Sequence, residues 1–286
     1  MQKKTTALIG AHLSIQGGIH NAFLEATKLR CTTMQIFTKS NRQWGSKELT
    51  AKEIELFKAT QKQSSIHTIV VHASYLINLA SPDKRVYHAS IKALKEELLR
   101  CDQLSIDYLV LHPGSSVGKS KEEGINQVIK ALNEILNEYA GNTMILLENM
   151  AGQGNSLAST FEELAALHTG ITNHKAKVGF CFDTCHAFAA GYPLSTLEEC
   201  QATFKRFDII AGITHIKAIH LNDSKKECGC HVDRHEDIGK GHIGIEAFRF
   251  IINNPSFASI PKILETPKKS LDDHARNLEI IRSLLD

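Results

Sequence analysis

The chain has 286 residues, of which 42% are hydrophobic and 22% charged, with a formal net charge of +2. That is enough apolar material for a sizeable core, and the length suits one (β/α)₈ barrel, typically about 250 residues, better than a single sandwich or bundle. The near-neutral balance excludes polyanion binding through global charge, so a nucleic-acid partner would have to meet basic side chains gathered on one face.

Met1–Thr6 carry no apolar segment or small-residue cleavage pattern. No apolar stretch approaches the roughly 20 residues needed to span a bilayer. The seven cysteines are an odd number, and without a secretory pattern they read as reduced thiols, so a cytoplasmic protein is expected.

Strand-like and helix-like segments then alternate. Leu8-Ile9-Gly10 reads as a strand, followed by a helix from about Gly18 to Leu29 with Ile19, Ala22, Phe23, Ala26 and Leu29 on one face. Met34-Gln35-Ile36-Phe37 is the next strand, then a loop over Thr38–Ser46 and a helix from about Thr50 with Ile54, Phe57 and Lys58 in register. Pro82 is placed to open a long helix through Leu104. Lys121–Tyr139 follows, its stripe formed by Ile125, Val128, Ile129, Leu132, Ile135 and Leu136, and Phe161–Leu167, Leu197–Ile210, Ile245–Ile252 and Leu271–Leu284 supply the remaining helices. A helix after each strand is the pattern of βαβ units in a parallel sheet. With eight such strands, a single TIM barrel over residues 1–286 is expected; no linker or low-complexity tract divides the chain.

Six hydrophobic runs end at once in a metal-type ligand. They are Ile69-Val70-Val71-His72, Tyr108-Leu109-Val110-Leu111-His112, Met144-Ile145-Leu146-Leu147-Glu148, Val178-Gly179-Phe180-Cys181-Phe182-Asp183, Ile216-Lys217-Ala218-Ile219-His220 and Ile263-Leu264-Glu265. A barrel delivers its strand ends to one mouth, where active sites of the fold lie. Asp183 is followed by His186, and Asp233 by His235, which adds further ligands. Five His and four carboxylates exceed what one zinc needs. More than one divalent ion is therefore expected, with Glu148 able to bridge, an arrangement suited to phosphoester hydrolysis.

Segments spread along the chain resemble the signatures of endonuclease IV, the trinuclear-zinc apurinic/apyrimidinic endonuclease family. They are His72-Ala73-Ser74-Tyr75-Leu76-Ile77-Asn78-Leu79, Leu111-His112-Pro113-Gly114-Ser115, Leu147–Gly154, Phe182–Gly191, His220-Leu221-Asn222-Asp223-Ser224, Val232-Asp233-Arg234-His235 and Ile263-Leu264-Glu265-Thr266. The resemblance implies a barrel that hydrolyses the phosphodiester 5′ to an abasic site in double-stranded DNA, leaving a 3′-hydroxyl and a 5′-deoxyribose phosphate. It also implies trimming of blocked 3′ ends and a monomeric state. Three zinc ions are implied: one held by His72, His112 and Glu148, a second by Glu148, Asp183, His220 and Glu265, a third by His186, Asp233 and His235. Glu148 would also orient the nucleophile. The loop Phe37-Thr38-Lys39-Ser40-Asn41-Arg42-Gln43-Trp44 is similar to the family's, which implies that Arg42, Tyr75 and Leu76 enter the DNA stack at the lesion; the residues alone leave packing roles open for them.

A metal-dependent sugar isomerase or epimerase is the nearest alternative, since such enzymes share strand-end His, Glu and Asp on this barrel but need only one or two metals. The other ten histidines read as ordinary side chains, with His12 placed to lie near the site because it ends the first strand. Cys228-Gly229-Cys230-His231 lacks the second close Cys pair of a structural zinc site and reads as free thiols in a loop. Cys181 and Cys185 read as packed small apolar residues.

Overall fold

The computed structural model describes residues 7–286; the reading of Met1–Thr6 lies outside them. In chain order the first half runs β1 (Ile9–Ala11), α1 (Ala22–Lys28), β2 (Thr33–Ile36), α2 (Ala51–Gln63), β3 (Thr68–His72), α3 (Lys84–Leu104), β4 (Tyr108–Leu111) and α4 (Lys121–Glu138). The second half runs β5 (Met144–Glu148), α5 (Phe161–Thr169), β6 (Val178–Asp183), α6 (Thr184–Ala189), α7 (Leu197–Ala211), β7 (Ile216–His220), β8 (Asp223–Ser224), β9 (His235–Glu236), α8 (Ile245–Asn253), β10 (Lys262–Leu264) and α9 (Leu271–Ser283).

Among the described residues, eight parallel strands lie in the order β1-β10-β7-β6-β5-β4-β3-β2. The two ends of that order meet through a parallel bridge between His12 and Gln35 and a 2.8 Å bond from Leu13 N to Gln35 O, which makes a TIM barrel. Gly10 permits the closure: a Cβ there would sit 1.8 Å from the Thr33 carbonyl oxygen. The helices start where the sequence provides caps. Thr50, Ser120 and Thr196 each form a reciprocal capping box with Glu53, Glu123 and Glu199, an arrangement contributing about 1 kcal/mol per helix.

Several boundaries differ from the sequence reading, the first strand among them, which is shifted one residue on from Leu8–Gly10. Pro82 precedes the long helix instead of opening it, because the Asp83 carboxylate accepts from Arg85 N at 2.8 Å and sets the start at Lys84. Gly18 has a φ of 138°, so Ile19–Asn21 forms a 3-10 turn and α1 begins only at Ala22. The second strand starts and ends one residue earlier than Met34–Phe37. The β8–β9 hairpin and the short α6 have no counterpart in the sequence reading.

The barrel interior and its outer face are separate cores. Val70, Val110, Leu146, Cys181 and Ala218 form the inner plug. Neighbours of opposite parity, such as Val71, Leu109, Leu147, Phe182 and Ile219, pack outward against the helices. Two residues beyond each plug residue stand His72, His112, Glu148, Asp183 and His220. The alternation that buries the plug therefore aims the next inward side chain at the mouth.

Candidate metal centre

All nine metal-ligand candidates come together at the barrel mouth. Ligand atoms lie within 4.8 Å of one another in the sets His72–His112–Glu148, Glu148–Asp183–His220–Glu265 and Asp183–His186–His235. Asp233 joins the third set, its Oδ2 3.2 Å from His186 Nε2 and its Oδ1 3.3 Å from His235 Nε2. Cys185 differs from its reading as mere packing. It is buried, but its sulfur also lies within 4.8 Å of ligand atoms of Asp233 and His235. Burial pushes its thiol up to about 12, so it is neutral.

Glu148 is the centre of the cluster. Its Oε2 is 3.3 Å from His72 Nε2 and 3.1 Å from His112 Nε2; its Oε1 is 3.0 Å from His220 Nδ1 and 3.2 Å from His186 Nδ1. Burial alone would push this carboxyl up, yet the charges of His220 and His112 hold it well below the usual carboxylate range. Burial likewise disfavours charge on His186 and His220, but the surrounding acidic groups raise both well above the ordinary imidazole value. His235 is raised to about 9 against its own burial, by the Asp233 carboxylate 3.3 Å from its Nε2 and then by Asp183 and Glu265. Glu265 and Asp233 are held below their normal range despite burial, Glu265 chiefly by His220 and Asp233 by His186 and His235.

The donor set fits a cluster of divalent cations. His72, His186 and His235 direct Nδ1 to the carbonyls of Ala73, Asn149 and Glu265 at 2.7, 2.9 and 3.1 Å. A carbonyl only accepts, so Nδ1 carries a proton and Nε2 is the atom turned to the site, where a cation would take the place of a second proton. The Nε2 atoms of His186 and His235 are buried without a hydrogen-bond partner, the state in which an imidazole awaits a cation. His220 is turned the other way: Gln35 Oε1 takes its Nε2–H at 2.8 Å, leaving Nδ1 toward Glu148, Glu265 and Asp183. Hard oxygen and imidazole ligands suit zinc or a related divalent ion.

Residues outside the sequence reading hold this arrangement. Gln35 also donates to Glu265 Oε1 at 2.7 Å. Asn222 donates to Asp183 Oδ2 at 2.7 Å and accepts from Glu265 N at 2.8 Å. Asn149 pins Asp183 by exchanging two bonds with its backbone, and Asp183 Oδ1 caps α6 through His186 N at 2.8 Å. The signal for Gln35 was available: it is a polar residue between Met34 and Ile36 at an inward position. His12 takes its expected place, 3.2 Å from Glu265 Oε1.

Asp233 comes from the loop between β8 and β9 and His235 from the start of β9, both outside the barrel sheet. Residues 225–234 join β8 to β9 and interlock with the loop after β5. His231 Nδ1 lies 3.2 Å from Ala151 O and Asp233 N donates to Gln153 Oε1 at 3.3 Å. Gly152, at φ 81°, has room only for a hydrogen, since a Cβ would meet the His231 ring at 2.7 Å. Cys228 and Cys230 are free thiols in this loop, and among the described residues they join no ligand set.

The rim is aromatic and open. Tyr75 is 55% exposed, with its ring 5.1 Å from His72 and 5.5 Å from His112. Leu76 is half-buried beside it, and Arg42 and Trp44 are exposed on the loop after β2. A bond of 2.9 Å from Ser74 Oγ to Asn41 O ties these two loops together. A cavity of about 330 Å³ opens beside the ligands, lined by His12, Phe37, Asn41, Tyr75, His235 and Glu265. His274, read as ordinary, also lines it.

Among the described residues no helix is long and apolar enough to cross a membrane. A family profile described as a xylose isomerase-like TIM barrel matches residues 23–284. The probable endonuclease 4 of Chloroflexus aurantiacus is 47% identical over 278 residues, covering 96% of this chain and 97% of the relative. The crystal structure of endonuclease IV from Thermus thermophilus superimposes with a TM-score of 0.84 at 34% identity, covering 96% of this chain and 98% of that one. A D-tagatose 3-epimerase-like protein matches with a TM-score of 0.71 at 21% identity, a likeness of fold alone. With its relatives matched end to end and its ligand clusters at the barrel mouth, the chain belongs to the endonuclease IV family.

Proposed function

We propose that this chain is a DNA-repair endonuclease that hydrolyses the phosphodiester 5′ to abasic sites in duplex DNA, using three zinc ions, and that it also trims blocked 3′ ends. Its products are a 3′-hydroxyl and a 5′-deoxyribose phosphate, and it acts as a monomer in the cytoplasm. The observation that carries the reading is the convergence of three ligand sets on one mouth, two of them sharing Glu148 and two sharing Asp183. A sugar isomerase or epimerase would need one or two such positions, so the third set favours the nuclease.

An abasic site offers no base to read, so binding rests on backbone phosphates and on the ease of distorting an unstacked nucleotide. Arg42, Tyr75 and Leu76 stand at the rim, where they fill the gap left by an extruded sugar. His72, His112 and Glu148 would hold the first ion, Glu148, Asp183, His220 and Glu265 the second, and His186, Asp233 and His235 the third. When bound, zinc supplies Lewis-acid stabilisation of charge building on the phosphate and acidifies the attacking water. Glu148 faces both of the first two sets and orients the nucleophile between them. Gln35, Asn149 and Asn222 keep the ligands aimed without touching substrate.

The test is incision of an end-labelled duplex carrying one tetrahydrofuran abasic analogue, which cannot undergo β-elimination. A single cut immediately 5′ to the analogue with a 3′-hydroxyl end is the expected result. No cut by the zinc-loaded protein refutes the proposal and favours the isomerase.

A further inference from the structure

The loop that carries Arg42 stands on a buried ionic group. Thr38, Lys39, Glu97 and Arg100 are all less than 10% exposed. Thr38 Oγ1 donates to Glu97 Oε2 at 2.6 Å, and Lys39 Nζ lies 3.8 Å from Glu97 Oε1 while donating to the Trp44 carbonyl at 3.0 Å. Arg100 donates through Nε to Thr38 Oγ1 at 3.1 Å, through Nη1 to the Lys47 carbonyl at 2.9 Å, and through Nη2 to the Thr38 carbonyl. Glu97 and Arg100 come from α3, the helix that follows Tyr75 and Leu76.

Lys39 and Arg100 between them hold three carbonyls of the loop, at residues 38, 44 and 47, and leave the side chains from Arg42 to Trp44 exposed. The Ser74–Asn41 bond extends the same connection to the Tyr75 loop. A packed apolar base of equal volume would often be as stable as such an ion group, but it would not fix which carbonyl lies where. We infer that the buried Lys39–Glu97–Arg100 group is a positioning device: it presets the loops bearing Arg42, Tyr75 and Leu76 for a distorted duplex, before DNA arrives. These residues touch neither the metal ligands nor the reacting phosphate. The inference rests on the nuclease reading above.

The experiment compares wild type and Glu97→Gln, both zinc-loaded full chains, on two diesters. One is the tetrahydrofuran duplex, which needs the rim loops. The other is bis(p-nitrophenyl) phosphate, which needs only the metal site. The expected result is a rise in KM for the duplex of about 10- to 100-fold, with kcat and the small-diester rate changed by no more than about threefold. A parallel fall on both substrates means general damage and overturns the inference, as does an unchanged duplex KM. Thr38→Val, which removes only the hydroxyl between Glu97 and Arg100, gives the same comparison if Glu97→Gln does not fold. Failure of the wild type on both diesters would overturn the nuclease reading itself, a different outcome from loss of the KM effect alone.

Discussion

Replacing Gln35 by Leu tests whether the residues behind the ligands set metal affinity. The substitution removes the acceptor 2.8 Å from His220 Nε2 and the donor 2.7 Å from Glu265 Oε1. The second is a bond to a charged carboxylate, worth about 1.5–3 kcal/mol where buried, and the first a bond to a neutral ligand imidazole, worth about 0.5–1.5 kcal/mol. Glu265 keeps His12 as a neighbour at 3.2 Å, but His220 loses the acceptor that holds its Nε2 proton away from the site. Its ring is then free to take the tautomer that places a proton on Nδ1, facing Glu148. Losing such a support lowers metal affinity about 10- to 100-fold, or roughly 1.4–2.7 kcal/mol. Dialysis against graded chelator, with bound metal counted by mass spectrometry, reads this directly. One ion per chain should leave Gln35→Leu at a chelator concentration that wild type withstands, and the circular dichroism of the metal-loaded protein should be unchanged. Identical retention curves would refute the reasoning, because they would mean that His220 needs no partner to keep its tautomer.

Glu148→Gln should keep the fold and lose most of the incision rate, since a neutral amide cannot serve two ligand sets; near-wild-type incision would refute the assignment. Tyr75→Ala should weaken kcat/KM on the abasic duplex by about 10-fold or more while leaving bis(p-nitrophenyl) phosphate hydrolysis unchanged; equal losses on both would place Tyr75 in the chemistry instead. Gly10→Ala forces a Cβ to within 1.8 Å of the Thr33 carbonyl, and should cost about 3 kcal/mol or more, seen as a lowered melting temperature or loss of soluble protein. Lys262 is fully buried, and burial lowers its pKa to about 8. The unfolded chain holds that proton to about pH 10.5, so the burden of the buried charge, roughly 3 kcal/mol, is complete below pH 8 and is relieved as pH rises toward 10.5. Urea unfolding of wild type against Lys262→Met should therefore show wild type gaining on the variant between pH 8 and 10.5; a constant difference would contradict the shift.

The strand-end ligands were legible because the barrel imposes a period of two on every strand. Val70 and His72, Leu146 and Glu148, and Ala218 and His220 are inward pairs, so the residue that closes a hydrophobic run also faces the mouth. The helices were legible from their apolar stripes and caps, and the misplaced start at Pro82 shows a side-chain cap overruling proline's preference for a first helical position. Gln35 had a signal, as a polar residue inside an apolar strand, but neither it nor Asn149 nor Asn222 has a spacing that reveals its partner, 185 or 34 residues away. The β8–β9 pair is two residues per strand, too short to show any alternation. Asp233 and His235 were legible as a carboxylate–imidazole pair two residues apart, but their grouping with His186 came only from resemblance, since the fold of their segment depends on contacts with Ala151 and Gln153. The rim residues Arg42, Tyr75 and Leu76 likewise had no signal in spacing.

The inner plug has a consequence for traffic. Val70, Val110, Leu146, Cys181 and Ala218 fill the barrel directly beneath the ligands with apolar side chains, so water and phosphate reach Glu148 from the mouth side. Arrival and departure therefore share one doorway.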